Sequence, residues 1–234
     1  MKKAADHFSC AQCPSRSRSV FHDFPDEAQP GLEAGKSCFV YKRGEAIFHE
    51  GHTPQGVYCI KEGKVKIARE GFEGKEQIIR FAKDGDVVGY RSLLSGERYA
   101  SSAVALEETS VCFIPRSQLL QMVTSQPCLS LNFIKQACTE LGDAGRLITN
   151  LAQKSVRERM AEILLMLRET FGETAEGAID VKLSREELAN LVGTATESAI
   201  RVLSDFQQEG LLELKGKAIH LKDRPKLLKT GKIA

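Results

Sequence analysis

Ser184-Arg185-Glu186-Glu187-Leu188-Ala189-Asn190-Leu191-Val192-Gly193-Thr194-Ala195-Thr196-Glu197-Ser198-Ala199-Ile200-Arg201 is the passage from which the rest of the chain becomes readable. Ser184 followed three residues later by Glu187 forms a capping box. Hydroxyl and carboxylate each satisfy a backbone N–H that a first helical turn leaves without a partner. A helix is expected from Arg185 to Leu191, then a turn at Val192-Gly193-Thr194 with Gly193 in a left-handed conformation. A second helix should begin near Thr194 or Ala195 and run to about Gly210. Leu188, Ala189 and Val192 are expected to face inward from the first helix, and Ile200, Leu203 and Phe206 from the second. Small Ala189 lets the two helices cross closely. Two short helices joined by a tight glycine turn match DNA-binding helix-turn-helix units.

The polar face of the second helix carries Thr196, Glu197 and Arg201. Glu197 and Arg201 stand four apart and project from one side. Arginine donates two hydrogen bonds to guanine, and a carboxylate accepts from cytosine. A surface ion pair is the alternative reading of the same two residues. Downstream, Leu211 to Leu221 reads as two short strands around Lys215-Gly216-Lys217, the wing of a winged helix. From Lys215 onward six lysines and one arginine face one acid, Asp223, a local charge of +6 in a chain of +2. Clustered cations of this kind neutralise phosphates. Ser184, Thr194, Thr196, Glu197, Arg201, Lys215 and Lys217 are therefore the expected DNA contacts.

Upstream of this unit the helical period continues. Val156 to Phe171 reads as a helix, followed by a break at Gly172–Gly177 and a strand at Ile179–Leu183. From Cys128 to Ala152 no proline intervenes, and Ile134, Cys138, Leu141, Gly145 and Ile148 recur by four and three. That is the rhythm of a coiled-coil seam, which a parallel helix of a second subunit would cover. Packing of the helix on its own barrel is the alternative. Ser117 to Val123 is a short amphipathic turn.

Between Cys38 and Pro115 the period is two. Short apolar runs such as Gly56-Val57-Tyr58-Cys59-Ile60 and Ser110-Val111-Cys112-Phe113-Ile114 alternate with glycine turns. Seven or eight such strands predict a barrel or jelly roll. Residues 1–36 are irregular, with only Val20, Phe21 and Phe24 as a small apolar cluster and one helical turn expected. The fold class is thus α+β. An irregular cysteine-containing segment (1–36) precedes a double-stranded β-helix (jelly-roll) barrel (37–126), a long dimerisation helix (127–153) and a winged helix-turn-helix domain (154–234).

With 42% hydrophobic and 27% charged residues over 234 positions, composition excludes a disordered chain, a fibre and a small disulfide-stapled domain. No run approaches the roughly 20 apolar residues of a membrane span, and no secretion signal opens the chain, so a cytoplasmic location without membrane partners is expected. Seven cysteines, an odd number, argue against a full set of structural disulfides. Cys10 and Cys13 form a C-x2-C pair able to reach one metal or to cross-link reversibly; with His7 and His22 nearby, zinc is one reading. Nothing resembling a catalytic triad, a phosphate-binding loop or a zinc-protease helix is present, so an enzyme is not expected.

In this order of parts the chain resembles the Crp/Fnr family of bacterial transcription regulators. The likeness rests on four stretches: residues 42–51, 56–65, 85–90 and 183–216. It implies a homodimer on a palindromic DNA site, contact with RNA polymerase and a barrel that senses a ligand, a cluster or a redox state. Glu197 and Arg201 match the family's base-reading pair, which implies a TGA core. Thr196 and Ile200 depart from its best-known branches, leaving the outer base preferences open. The cyclic-nucleotide branch needs a glutamate after a glycine and an Arg-Ser pair. Here Gly89 precedes Tyr90, and the phosphate region holds Arg98, Tyr99, Ala100 and Ser101. Cyclic AMP is therefore not expected, though another small effector at Gly89, Tyr90, Arg98, Tyr99 and Ser101 is. The oxygen-responsive branch binds a 4Fe–4S cluster through three N-terminal cysteines and one in the barrel. Cys10, Cys13 and Cys112 match three of these, while Ser19 stands at the remaining place. Cys38 is the expected substitute and His22 another, making Cys10, Cys13, Cys38 and Cys112 the candidate ligands of a labile cluster or of zinc.

Overall fold

A computed structural model describes residues 2–3, 9–71 and 74–233. The chain divides into two compact units, residues 1–72 with 79–142 and residues 73–78 with 143–234.

The first unit is built on two antiparallel sheets. One has the order β1 (Lys2–Lys3), β2 (Ser37–Tyr41), β9 (Thr109–Pro115), β4 (Gly56–Glu62), β7 (Val87–Val88); the other has β3 (Ala46–Phe48), β8 (Ser102–Ala105), β5 (Lys64–Glu70), β6 (Glu76–Lys83). Tyr41, Ile60, Val88 and Val111 from the first sheet meet Ile47, Val65, Ile67, Ala103 and Ala105 from the second in one buried cluster. The expected double-sheet barrel is present, with its core between the sheets. Gly63 sits at φ 117° between β4 and β5, where an added Cβ would lie within 2.9 Å of Thr109 backbone and side-chain atoms, so the hairpin requires glycine.

A second cluster lies on the outer face of the first sheet. Val57, Val87, Ile114, Leu119, Met122, Leu129 and Phe133 are joined there by Val20, Phe21, Phe24 and Leu32. The N-terminal segment thus forms part of a full core, more than the small separate cluster expected. It contains three 3-10 turns and α1 (Gln29–Ala34), not a single turn. Asn132 donates to the Val20 carbonyl at 3.0 Å and to Asp23 at 2.7 Å, fixing the segment against a helix. Around these sheets lie α2 (Tyr90–Ser95) and α3 (Arg116–Ser125), the latter longer than its apolar pattern implied.

Helix α4 (Pro127–Gln153) agrees with the long helix read from the sequence. The second unit holds α5 (Val156–Phe171), α6 (Arg185–Val192), α7 (Thr196–Gln208), the hairpin β10 (Leu212–Lys215)–β11 (Ala218–Leu221) and α8 (Arg224–Thr230). One expectation fails here. Ile179–Leu183 is not a strand: Ile179 makes one isolated bridge, to Glu173, and its N–H donates to the Ile219 carbonyl of β11 at 2.9 Å, but among the described residues no ladder continues from either contact. In the basic C-terminal stretch Asp223 caps α8 through the Lys226 N–H, and Leu227 is fully buried. Among the described residues no helix is long and apolar enough to cross a membrane.

Candidate nucleic-acid interface and cysteine cavity

Both reciprocal bonds of the capping box are made: Glu187 N–H to Ser184 Oγ at 3.0 Å and Ser184 N–H to the Glu187 carboxylate at 2.8 Å. Ser184 is therefore half-buried and occupied in holding the start of α6. Gly193 adopts φ 71°, ψ 54°, the left-handed turn expected there. Arg159, on α5, donates to the carbonyls of Val192 at 2.9 Å and Gly193 at 3.2 Å, so the turn is anchored from beneath. Leu188, Ala189, Val192, Leu203 and Phe206 are buried as expected. Ile200 is not: it is 47% exposed, and Ala199 takes the inward position, because the helices pack too closely there for a larger side chain.

Glu197 and Arg201 are both exposed on α7. Among the described residues neither makes a side-chain hydrogen bond or ion pair, so they are not the surface pair of the alternative reading. Thr194 and Thr196 flank them, half-buried. In the wing, Lys215 pairs across the hairpin with Ala218 and the turn runs through Gly216-Lys217, leaving both lysines exposed. Arg185 donates to the Gly216 carbonyl at 3.0 Å and ties the wing to α6. Its guanidinium is partly desolvated, which lowers its proton affinity. The surface so assembled offers a donor fork, a carboxylate, two hydroxyls and two ammonium groups.

On α4, Ile134 (59%), Leu141 (74%) and Ile148 (68%) are exposed, as are Cys138 and Gly145. Space is open around the α-carbons of Gly142 and Gly145. Ile134, Cys138 and Leu141, on the part of α4 that belongs to the first unit, are left uncovered by that unit.

The barrel pocket brings together Gly89, Tyr90, Tyr99 and Ser101, with Arg80 and Arg91 added. Arg98 is not among them: it turns out to solvent and donates to the Gly51 carbonyl at 2.8 Å. Tyr99 fills much of the space, stacked on Phe48 with ring centroids 4.0 Å apart and its hydroxyl on the Gly56 carbonyl at 3.2 Å. Glu140 of α4 lies between Arg80 (3.3 Å) and Arg91 (3.8 Å), so the arginines already face a carboxylate.

Four thiols share one half-open cavity of about 540 Å³, counting its mouth: Cys10, Cys13, Cys59 and Cys112. Arg16, Lys36, Lys61 and Ser19 also line it, and no carboxylate does. Cys59 was unforeseen as a site residue, since alone it reads as one apolar residue of a strand. In the sheet it lies opposite Cys112, which lies opposite Cys38 on the other side, so the three form a row across β4, β9 and β2. Cys38 does not line the cavity; its Sγ touches that of Cys112 at 3.2 Å. Ser19 keeps its hydroxyl on backbone, accepting from Phe21 N–H and donating to the Arg16 carbonyl. His22 is exposed, with Nδ1 on the Ser19 carbonyl at 3.0 Å and Nε2 3.8 Å from the Asp23 carboxylate, and does not line the cavity. His7 lies outside the described residues.

Charge in the cavity is arranged around Lys36. Its Nζ lies 3.1 Å from Cys10 Sγ. Burial works against its charge, but the thiols of Cys10, Cys112 and Cys38 carry its proton affinity above the ordinary lysine value. Desolvation pushes Cys10 up, with Lys36 pulling back. It lifts Cys59 to about 12. Cys112 rises further, through burial and then the Cys38 contact. Among the described residues no three His, Cys, Asp or Glu groups are yet close enough to hold one metal ion.

Comparison with known proteins agrees with this architecture. The cyclic nucleotide-binding domain pattern matches residues 38–126, and the Crp-like helix-turn-helix pattern matches residues 158–230. Transcriptional activator protein FnrA of Stutzerimonas stutzeri is 34% identical over 184 residues, covering 78% of this chain and 75% of the relative. The CRP-like cAMP-activated global transcriptional regulator of Mycobacterium tuberculosis is 29% identical over 194 residues, covering 82% and 87%. The solved structure of FixK2 from Bradyrhizobium japonicum superposes with a TM-score of 0.76 at 27% identity, covering 85% of this chain and 98% of that one. A cyclic nucleotide-binding-type barrel followed along the chain by a Crp-like helix-turn-helix, and relatives that are regulators and not enzymes, lead to one conclusion: the chain belongs to the Crp/Fnr family of DNA-binding transcription regulators.

Proposed function

We propose that the protein works as a homodimer on an inverted-repeat DNA site with a TGA core, taking its signal through the cysteine cavity. The observation that carries the DNA half is the pair Glu197 and Arg201, exposed and unpaired near the N-terminus of α7. The bare α4 stripe supplies the two-fold contact. Two copies of α7 then enter successive major grooves about 34 Å apart. RNA polymerase is the expected further partner, on family grounds. Selection from random duplexes tests this: inverted repeats containing TGA are expected, and recovery of sequence-independent, salt-sensitive binding alone overturns it.

A thiophilic centre suits the cysteine cavity better than a cyclic nucleotide suits the barrel pocket that Tyr99 fills. Cys10, Cys13, Cys59 and Cys112 would hold an iron–sulfur cluster or zinc, with Arg16, Lys36 and Lys61 offsetting the thiolate charge. A bound cluster supplies a redox- and oxygen-sensitive cross-link. The chain's own part is to gather the thiols from two places, the N-terminal segment and the sheet, so that loss of the centre frees one from the other. Purification without oxygen, followed by absorption spectra and iron, sulfide and zinc analysis, checks this. Colourless, metal-free protein that binds its operator as well as loaded protein does would refute it.

A further inference from the structure

We propose that Cys38 and Cys112 are a covalent modification site: they form a reversible disulfide across β2 and β9, which takes the Cys112 sulfur away from the cavity. The bond rests on strand register and goes beyond the metal reading, which it does not need.

Cys38 and Cys112 are direct cross-strand partners. Directly opposed residues of antiparallel strands have Cα atoms about 4.5–5.5 Å apart, inside the range of about 4.4–6.8 Å that a disulfide spans. Their sulfurs already touch at 3.2 Å. The backbone need not move for the bond to form. Of the two, Cys112 is reached from the cavity, whereas Cys38 is buried.

The co-reactant is a hydroperoxide admitted through the cavity mouth. Cys112 Sγ attacks the terminal peroxide oxygen while its proton passes to the departing oxygen; the O–O bond breaks, giving a sulfenic acid and water or an alcohol. Cys38 then attacks the sulfenic sulfur, the S–O bond breaks, and the departing hydroxide takes the Cys38 proton as water. Two thiols lose two electrons together and one peroxide gains them. A thiol reductant reverses the step by exchange. A sulfur held in this bond is no longer a thiolate ligand. Metal ligation at Cys112 and the disulfide therefore exclude one another.

Peptide mapping of the full-length protein decides the matter. Reduced protein, stripped with chelator and desalted, is treated with hydrogen peroxide, capped with N-ethylmaleimide and digested with trypsin without reduction. Trypsin puts Cys38 in residues 37–42, Cys112 in 99–116, Cys59 in 44–61 and Cys10 together with Cys13 in 4–16, so links of Cys112 to Cys38, to Cys59 and to the N-terminal pair are separately visible. The expected result is a 37–42/99–116 linked pair that dithiothreitol dissolves, with free thiols falling from seven to five. Retention of all seven thiols overturns the proposal, and so does linkage of Cys112 to Cys59 or Cys10 with Cys38 capped. Cys38→Ala should abolish the pair while leaving Cys112 available for zinc titrated into the reduced protein. A second measurement bears on exclusion alone: oxidised wild type should take up less zinc than reduced wild type, and equal uptake with the Cys38–Cys112 bond in place would refute that clause. The mapping needs no bound metal, so its failure and that of the metal reading are told apart.

Discussion

Arg201 stands free on α7 with its whole donor fork unspent, and that is what makes a quantitative expectation possible at a single residue. A bidentate arginine–guanine contact is worth about 1–3 kcal/mol of discrimination. Arg201→Ala should lose that much on the selected site and almost nothing on scrambled duplex, measured by fluorescence anisotropy at fixed salt; equal losses on both would make Arg201 a phosphate contact only. Cys59 supports an expectation of another kind. Desolvation holds its thiol at about 12 against an ordinary 9.0. Below about pH 9 folded and unfolded chains both keep the proton, and the contribution to stability is whole. Above it the unfolded chain sheds the proton first, so stability falls between about 9 and about 12. A single proton of difference has a slope of at most about 1.4 kcal/mol per pH unit. Cys10 and Cys112, also raised, act in the same direction above about pH 9, and the buried tyrosines join from about pH 10. Urea denaturation between pH 8 and 10 should therefore show a shallower decline for Cys59→Ala than for wild type. Parallel declines would show that Cys59 is not held protonated by the fold.

Among the elements, those that carry their own punctuation were legible and those that need a neighbour were not. Helices α5 and α6 begin with Ser155/Glu158 and Ser184/Glu187 capping boxes, local signals that nothing distant can overrule. Ile179–Leu183 alternates like a strand and Ile179 does bond to the Ile219 carbonyl of β11, but a strand needs a continuing ladder, and alternation does not say whether the contact extends past one residue. The inward choice of Ala199 over Ile200 is similar: neighbours on a helix are about 100° apart, and closeness of the crossing decides which one fits. Cys59 became a site residue only once β4 and β9 were in register, because its cross-strand partner Cys112 lies far along the chain. Helix α4 shows the opposite case, a stripe visible in the sequence and left bare in the subunit. Leu141, 74% exposed, contributes nothing to the subunit's own core. Leu141→Glu should leave the thermal melt of the subunit unchanged, yet convert the dimer to monomer in sedimentation equilibrium. Loss of the linked half-sites should then weaken operator binding by about 100-fold or more. A dimer that persists would place the two-fold contact elsewhere.

For the molecule as a whole, the question is whether residues 1–36 are a detachable sensing arm or part of the first unit's structure. Their cysteines suggest the former, while their apolar residues require the latter. Phe21, Phe24 and Leu32 are each no more than 4% exposed, in one cluster with Val57, Val87, Ile114 and Phe133. Fully burying such side chains is worth about 1.5–3 kcal/mol apiece, so the three together rival the roughly 5–15 kcal/mol by which a domain is stable at all. Asn132 would also lose both acceptors that the segment provides. Starting the chain at Ser37 should thus do more than remove two ligands: the first unit should lose its cooperative thermal transition and become open to protease, while α5 to α8 stay protected. Cys10→Ala with Cys13→Ala removes the thiols and keeps the aromatics, and should melt within a few degrees of wild type. The two variants divide the segment's roles. If the truncated chain melted like the double variant, the aromatic cluster would be dispensable, and the cysteine-bearing segment would be a tether after all. If both lost the transition, the thiols themselves would be structural, and the sensing role assigned to the cavity would have to be given up.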